Sequence, residues 1–577
     1  MKRIRLGEPE KIVPSAFCDN FNYSETSISY PLSRITAKDT PRGFLVEFPI
    51  EDDAHIYGFG LQLKQFDHRG RKLKLSVNAD PVSNNGDSHA PVPFFATNKG
   101  YGMYFDTARY IEVYCGYKKI SAGYTKKTLS QEKAEENSDV KTSTDELYAI
   151  REQNSAVMSV LIPAAHGIDI YIMEGKNITD VVSQYNMLSG GGCDVPKWAL
   201  GVLYRCCGRY SQDEVMAMAD YFRKSDIPCD ILGLEPGWHT HAYSCSYKWS
   251  DRFPSPNEML SELNSRGFHV NLWEHAFCHP TAPIYGDMLS HSGDYMVWGG
   301  VVPDFADPEA RRIFADYHRK TLVDAGVDGF KLDECDSSDN TGSWSFPLTS
   351  TFPSGLDGEQ YHSLFGTLYC KTIMEALGGK KTLSEVRNIG ALAAGYPFVL
   401  YSDLYDHRDF IRGVAQSSFS GILWTPEVRD AKSKEELIRR IQAVVFSCQC
   451  LINAWYCDRV PWADLDCENE VRELLKLRES LVPMLKEAFD KYRDTGKPPI
   501  RALVMDYSDD SETYRIDDEY IFCDELLVAP IAAGQGDERD VYLPTSEKWV
   551  DYFTGEEVGS GKIHVSTAGI PVYRKAN

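Results

Sequence analysis

The chain is expected to fold as a (β/α)8 barrel carried between two β-domains. Three observations predict this α/β class. Eight short apolar strand candidates alternate with helical patterns from about Pro196 onward. Turn-broken strand pieces with little helical periodicity precede them, and strands return near the C-terminus. A chain of 577 residues is too long for one core. We divide it into an N-terminal β-sandwich, 1–190, a catalytic barrel, 191–497, and a small C-terminal β-domain, 498–577.

In the first part, from about Ala16 to Asn186, Gly43–Pro49, Gly102–Phe105 and Ile111–Tyr114 read as strands bounded by Gly, Asn, Asp and Pro. Lys126–Thr144 is polar and charged and reads as an exposed excursion. The barrel strands are placed at Ala199–Tyr204, Asp230–Leu234, His269–Trp273, Gly329–Asp333, Thr382–Val386, Phe398–Ser402, Gly421–Thr425 and Leu451–Trp455. Ser211-Gln-Asp-Glu214 and Ser255-Pro-Asn-Glu258 have the spacing of capping boxes, the second with Pro at the first helical position. Further helices are expected at Pro308–Ala325, Gln360–Leu377, Asp409–Ser418 and Lys434–Phe446, with a long amphipathic one at Glu470–Tyr492. A doubly wound sheet is the alternative, but no Gly-rich phosphate loop follows the first strand. Strands of the last domain are placed at Arg501–Met505, Glu525–Pro530, Val541–Leu543 and Lys548–Tyr552.

Net charge is −23. Phosphates would be repelled, which argues against nucleic acid and anionic membranes as partners. No apolar run approaches a membrane span, and the charged stretch Met1–Pro14 lacks a signal-peptide core. The 15 cysteines are odd in number, show no repeated zinc spacing and lie largely in apolar runs. They read as reduced core residues of a cytoplasmic protein. His239 and His241 are two residues apart with no third ligand at usable spacing, so no metal is expected.

Chemistry is expected at the C-terminal ends of the barrel strands. Those ends carry Glu235 and Trp238; Trp273 and Glu274; Lys331, Asp333 and Glu334; Arg387; Asp403 and Asp406; Glu427; Asn453 and Trp455. In Gly326–Glu334, Phe330 and Leu332 alternate with Lys331 and Asp333, so the two charged side chains share one face. Any single strand-end carboxylate is more often a cap or an ion pair than a catalyst; their recurrence is what points to function. Paired carboxylates are what glycoside hydrolysis requires. In retention one attacks the anomeric carbon and the other protonates the leaving oxygen.

Several segments resemble glycoside hydrolase family 31 over nearly the whole chain. Val195-Pro-Lys-Trp-Ala-Leu-Gly201 is similar to the family's barrel entry, and Ile227–Glu235, followed by Trp249–Pro254, to its second strand. Gly329-Phe-Lys-Leu-Asp333 resembles the nucleophile strand of the branch with Lys two residues before the nucleophile, which implies that Asp333 is the nucleophile. Arg387 and Val399-Leu-Tyr-Ser-Asp403 hold the places of the family's Arg and its acid/base motif, which implies Asp403 as acid/base, with Asp406 as rival. The chain departs from the pattern at Glu235, where the family usually has Asp. It departs again at Glu334-Cys335-Asp336 in place of Met-Asn-Glu, and at Asn453-Ala-Trp455 in place of Arg-x-His.

The resemblance implies a retaining exo-α-glycosidase without metal or cofactor, acting on an oligosaccharide or small glycoside, with a homo-oligomer compatible with the chain. Departures from the glucose-type pattern favour α-galactosides. α-Glucoside, α-xyloside and α-N-acetylgalactosaminide substrates are the alternatives. Arg387 and Lys331 are expected to keep Asp333 ionised, and Trp238, Trp273 and Trp455 to stack on a sugar ring. Two rivals stand: a non-hydrolytic carbohydrate-binding protein on a degenerate barrel, and a lyase.

Overall fold

A computed structural model describes residues 1–117, 157–337 and 344–576. The expected excursion Lys126–Thr144 lies outside the described residues.

Two five-stranded antiparallel sheets form the N-terminal sandwich. One runs Lys2–Glu8, His166–Glu174, Tyr101–Asp106, Phe94–Thr97, Ile56–Gly58; the other runs Thr36–Thr40, Gly43–Pro49, Val157–Pro163, Ile111–Tyr117, Lys72–Leu75. Phe44, Val46, Phe48, Phe95, Met103, Phe105, Val113, Val160, Ile170 and Ile172 form the core between them. The sandwich begins earlier than Ala16. Lys2–Glu8 is an edge strand whose Arg3 and Arg5 pair with Asp169 of the adjacent strand at 2.7 and 2.9 Å. Its charges are edge residues with a partner. A helix also ends this part, Ile178–Met187, capped by Asn177 accepting from Asp180 N at 2.9 Å.

The sandwich packs directly on the barrel. Tyr101–Asp106 is buried along its whole length: one face meets the sandwich core, and Tyr104 on the other meets Tyr185, whose hydroxyl accepts from the barrel's Leu392 N at 3.0 Å. Tyr57 stacks on Phe419 at 5.0 Å.

The barrel strands are Val202–Arg205, Ile231–Leu234, His269–Glu274, Gly329–Leu332, Ser384–Val386, Phe398–Leu400, Glu427–Val428 and Cys450–Asn453. Each pairs in parallel with its neighbours, and the eighth returns to the first. A bridge between Leu400 and Trp424 joins the sixth strand to the seventh segment and closes the circle. The expected seventh strand, Gly421–Thr425, is thus shifted: Ser417–Ser420 is a 3-10 turn ending at Gly421 in the left-handed region, and the paired strand is Glu427–Val428. A hairpin, Ser292–Val297 with Gly300–Pro303, stands between the third and fourth strands and was not foreseen.

Both capping bonds of the Ser211 box are present. Ser255 makes no side-chain cap, although Pro256 does open its helix. The expected helix Pro308–Ala325 is α-helical over Pro308–His318 and continues as a π turn, Arg319–Val323. Helix Glu468–Thr495 closes the barrel region.

The C-terminal domain is a six-stranded sheet beside a two-stranded one. The expected strand Arg501–Met505 is cut short at Ala502. Leu503–Asp506 turns helical and lets Asp506 and Asp524 both reach the Arg501 fork at 2.7 Å.

Candidate active site

The fourth strand is buried at every residue, and it delivers Asp333 one position past its end. Three contacts fix this carboxylate. Trp273 Nε1 donates to Oδ2 at 2.7 Å, the Glu334 amide donates to Oδ1 at 2.9 Å, and Arg387 Nη1 lies 3.6 Å from Oδ1. Glu334 reaches its place through a left-handed backbone, φ 57°. A non-glycine residue held there is strained and belongs to a tightly determined site.

Arg387 leaves the fifth strand and gathers three carboxylates. Its Nη2 lies 3.1 Å from Asp336 Oδ2, its Nη1 is hydrogen-bonded to Asp403 Oδ2, and the same Nη1 faces Asp333. The facing oxygens of Asp333 and Asp403 are therefore at most about 6 Å apart. Tyr401 lies beneath, with Lys331 Nζ 4.9 Å and the Arg387 guanidinium 5.3 Å from its ring centre.

Burial pushes the Asp333 carboxyl above the usual range, against the opposing pull of Arg387 and Lys331. Arg387 and Lys331 favour the ionised form, but loss of water outweighs their pull in the direction of the shift, and the Asp403 charge adds to the rise. Burial raises Asp403 too, but Arg387, Lys331 and Arg429 outweigh it and hold that carboxyl well below the usual range. Its side chain keeps 59% exposure at the mouth. Glu334 is pushed up to about 9 by burial and by the Asp333 charge.

Below the mouth lies a buried ionic layer. Arg205, at the end of the first strand, binds Glu235 through Nε, and through Nη1 binds Asn271 at 2.8 Å and Glu385 at 3.0 Å. Lys331 Nζ reaches both Glu235 oxygens at 3.3 and 3.2 Å. Gln449 donates to Glu385 at 2.7 Å, and burial pushes Glu385 up to about 7. On the other side Asn453 Nδ2 donates to Glu427 at 2.7 Å and Arg429 Nε pairs with the same carboxylate at 2.8 Å. Burial raises Glu427.

Of the expected residues, Asp333, Lys331, Glu235, Arg387, Asp403, Glu427 and Asn453 converge on this mouth and the layer below it. Trp455 stands at the rim, 39% exposed. Four expected roles are corrected. Trp238 is fully buried, and its indole N–H is used by the Trp273 carbonyl, so it offers no ring face to a sugar. Trp273 is 1% exposed and holds Asp333 instead of stacking. Glu274 points away from the mouth and accepts from Tyr369 at 2.7 Å, with His318 Nε2 2.9 Å from it, because alternate residues of a barrel strand face the helices. Asp406 caps the helix His407–Gln416 by accepting from Asp409 N at 2.9 Å.

The sequence reading missed Arg205, Glu385, Asp336 and His89. The first two are charges inside or at the end of buried strands, which is a usable signal. His89 had none. It comes from the sandwich, and its ring bridges Asp336 at 2.8 Å and Ser402 Oγ at 2.7 Å. His239 and His241 do not converge as ligands. His239 lies against the Trp273 carbonyl and the Tyr247 amide, while His241 stacks on His279. Among the described residues no group of three or more His, Cys, Asp or Glu side chains is placed to hold a metal.

Comparison with known proteins agrees with this architecture. Residues 193–488 match the profile of the glycosyl hydrolases family 31 TIM-barrel domain, 496–577 that of the family's C-terminal domain, and 20–113 that of its N-terminal galactose mutarotase-like domain. The chain belongs to glycosyl hydrolase family 31 and is a retaining α-glycoside hydrolase.

Among its relatives, an α-xylosidase of Emericella nidulans is 23% identical over 91% of this chain and 66% of its own length. An α-glucosidase 2 of Bacillus thermoamyloliquefaciens is 26% identical over 93% and 68%. The chain thus spans about two thirds of these relatives' length. In fold it is similar to a Flavobacterium johnsoniae GH31 dextranase complexed with glucose, with a TM-score of 0.79 and 22% identity, covering 95% of this chain and 68% of the other. It is also similar to a GH31 α-xylosidase from a soil metagenome complexed with xylose, with a TM-score of 0.76 and 20% identity, covering 96% and 83%.

Proposed function

We propose that the protein releases terminal α-linked sugars with Asp333 as nucleophile and Asp403 as acid/base, and that it favours α-galactosides. The single observation that carries the first part is the Arg387 bridge. It keeps the two carboxylate oxygens at most about 6 Å apart. Retaining pairs sit ~5–5.5 Å apart and inverting pairs ~6.5–9.5 Å.

Asp333 attacks the anomeric carbon while Asp403 protonates the departing oxygen, and Asp403 then takes a proton from water that cleaves the glycosyl-enzyme. Trp273, Arg387 and the Glu334 amide hold Asp333 in line for the attack. An Asp333→Asn variant should lose turnover by several orders of magnitude while keeping its fold. A 5-fluoroglycosyl fluoride should label Asp333 in the wild type; labelling of another residue would remove the assignment.

A second reading places the proton donor at Glu334. Asp403 is held ionised by Arg387, whereas the Glu334 carboxyl, pushed up to about 9, carries a proton at neutral pH.

The galactoside preference rests on Glu235 and Asn453, the positions that depart from the glucose-type pattern. Asn453 Oδ1 is buried without a hydrogen-bond partner among the described residues, an acceptor a sugar hydroxyl would satisfy. The named α-xylosidase and α-glucosidase relatives keep those sugars as alternatives. A panel of 4-nitrophenyl α-galactoside, α-glucoside, α-xyloside and α-N-acetylgalactosaminide tests the preference; a higher kcat/KM on the α-glucoside would overturn it. All fifteen cysteines are free thiols, which supports a reducing cytoplasmic setting as our reading.

A further inference from the structure

A line of rings leads out of the catalytic mouth. Trp273, which holds Asp333, lies 5.5 Å from Tyr243; Tyr243 lies 5.1 Å from Trp298; and Trp298 lies 6.4 Å from Trp344. The row runs from a buried end to an exposed one: Trp273 is buried, Tyr243 is 45% exposed, Trp298 partly buried, and the outermost Trp344 is 48% exposed. These four residues come from four separate segments, so sequence proximity does not account for the row.

The second observation is the backbone of Trp298. It is the first residue of the two-residue turn Trp298-Gly299 that joins Val297 to Gly300, and both turn residues have positive φ, 48° and 73°. Such a turn favours Asn or Gly first, and a bulky aromatic residue there is strained. The hairpin nonetheless presents an indole, and it aims the ring at Tyr243, His275 and Phe277. Strain kept in this way at a site mouth indicates a functional placement. Burial raises the pKa of the Tyr243 hydroxyl, and the nearby charges of Asp333, Glu334 and Glu235 add to the rise.

We propose that Tyr243, Trp298 and Trp344 form the leaving-group subsite and that it takes an aglycone with a flat aromatic face. This rests on the reading of Asp333 as the reacting carboxylate, because the row is continuous with its Trp273 contact. Half-exposed rings in tilted and edge-on arrangement offer faces and edges for an aromatic group to stack against. A substrate seated with its anomeric carbon at Asp333 would extend its leaving group along them. Tyr243 is the positioning residue nearest the bond that breaks, and Trp344 the outermost.

The experiment compares 2-naphthyl and methyl α-glycosides of the glycone the wild type prefers. The wild-type kcat/KM ratio of naphthyl to methyl substrate should fall about tenfold in Trp344→Ala and in Trp298→Asn. Asn suits the turn, so the second variant should keep the hairpin and match or exceed the wild-type melting temperature. A ratio within twofold of wild type in both variants would overturn the proposal. Calorimetric titration with 2-naphthol separates this from the proposed activity. Saturable binding that weakens at least fivefold in Trp344→Ala supports the platform even if no α-glycoside is hydrolysed. Binding that is absent in the wild type, or equal in wild type and variant, overturns it.

Discussion

The indole nitrogen of Trp273 donates to Asp333 Oδ2 at 2.7 Å, joining the end of the third barrel strand to the residue that follows the fourth. The bond aims the carboxylate and stabilises its charged form, against the burial that raises its pKa. A hydrogen bond to a charged group contributes ~1.5–3 kcal/mol. Trp273→Phe keeps most of the ring volume and removes the donor, so kcat should fall by about 10- to 100-fold with an unchanged circular dichroism spectrum. Equal activity in Trp273→Phe would show that the other contacts of Asp333 suffice.

Three carboxylates compete for the role of proton donor, and their contacts separate them. Asp406 caps a helix through its side chain, so Asp406→Ala should cost about 0.5–2 kcal/mol of stability and leave the dependence on leaving group intact. Asp403→Ala should spare 2,4-dinitrophenyl glycosides more than natural disaccharides, and azide should restore its rate. If Glu334→Gln shows that pattern and Asp403→Ala does not, the donor is Glu334.

The pH profile follows from the direction of the Asp333 shift. Nucleophilic attack needs the ionised form, and burial raises this pKa, so the acid limb of kcat/KM should lie above the ordinary carboxylate range, ~3.9. The negative charge of Asp403 adds to the rise. Asp403→Asn removes that charge and should move the acid limb to lower pH, read with a dinitrophenyl substrate that needs no protonation. An unmoved limb, or one moved to higher pH, would show that another group controls it.

Arg205 supports the site from inside the barrel. It is fully buried and pairs with Glu235 and Glu385. Arg205→Met leaves two carboxylates in a dry interior with one cation fewer, at a cost of ~3–5 kcal/mol. The melting temperature should drop clearly. Glu385→Gln added to Arg205→Met should recover part of the loss, because Glu235 keeps Lys331 while Glu385 no longer carries a charge. No recovery would mean that packing around Arg205, not its charge, is what matters.

Much of the barrel was legible because its strands are short apolar runs in a regular alternation with capped helices. Seven of the eight expected strands overlap the observed ones, and the Ser211 box formed both its bonds. The seventh strand was misplaced because Gly421–Thr425 is as apolar as a strand. It is instead a 3-10 turn's exit and a single bridge, with the ladder beginning at Glu427. The edge strand Lys2–Glu8 precedes the stretch read for strands; it is not an apolar run, and its charges are paired across the sheet with Asp169.

The sequence by itself determined the fold class and the positions of Asp333, Arg387 and Asp403 at the C-terminal rim, and the strand alternation that turns Lys331 to the same face as Asp333. Only the tertiary structure decided what each side chain does there. Trp273 and Trp238 looked alike as sugar platforms, yet one holds Asp333 and the other is buried beneath it. Glu274 looked like a site carboxylate, yet it faces the helices. His89, Arg205 and Tyr243 arrive from segments far apart along the chain. Burial and charge fields at a mouth depend on which distant groups share it, and local sequence pattern carries no record of those neighbours.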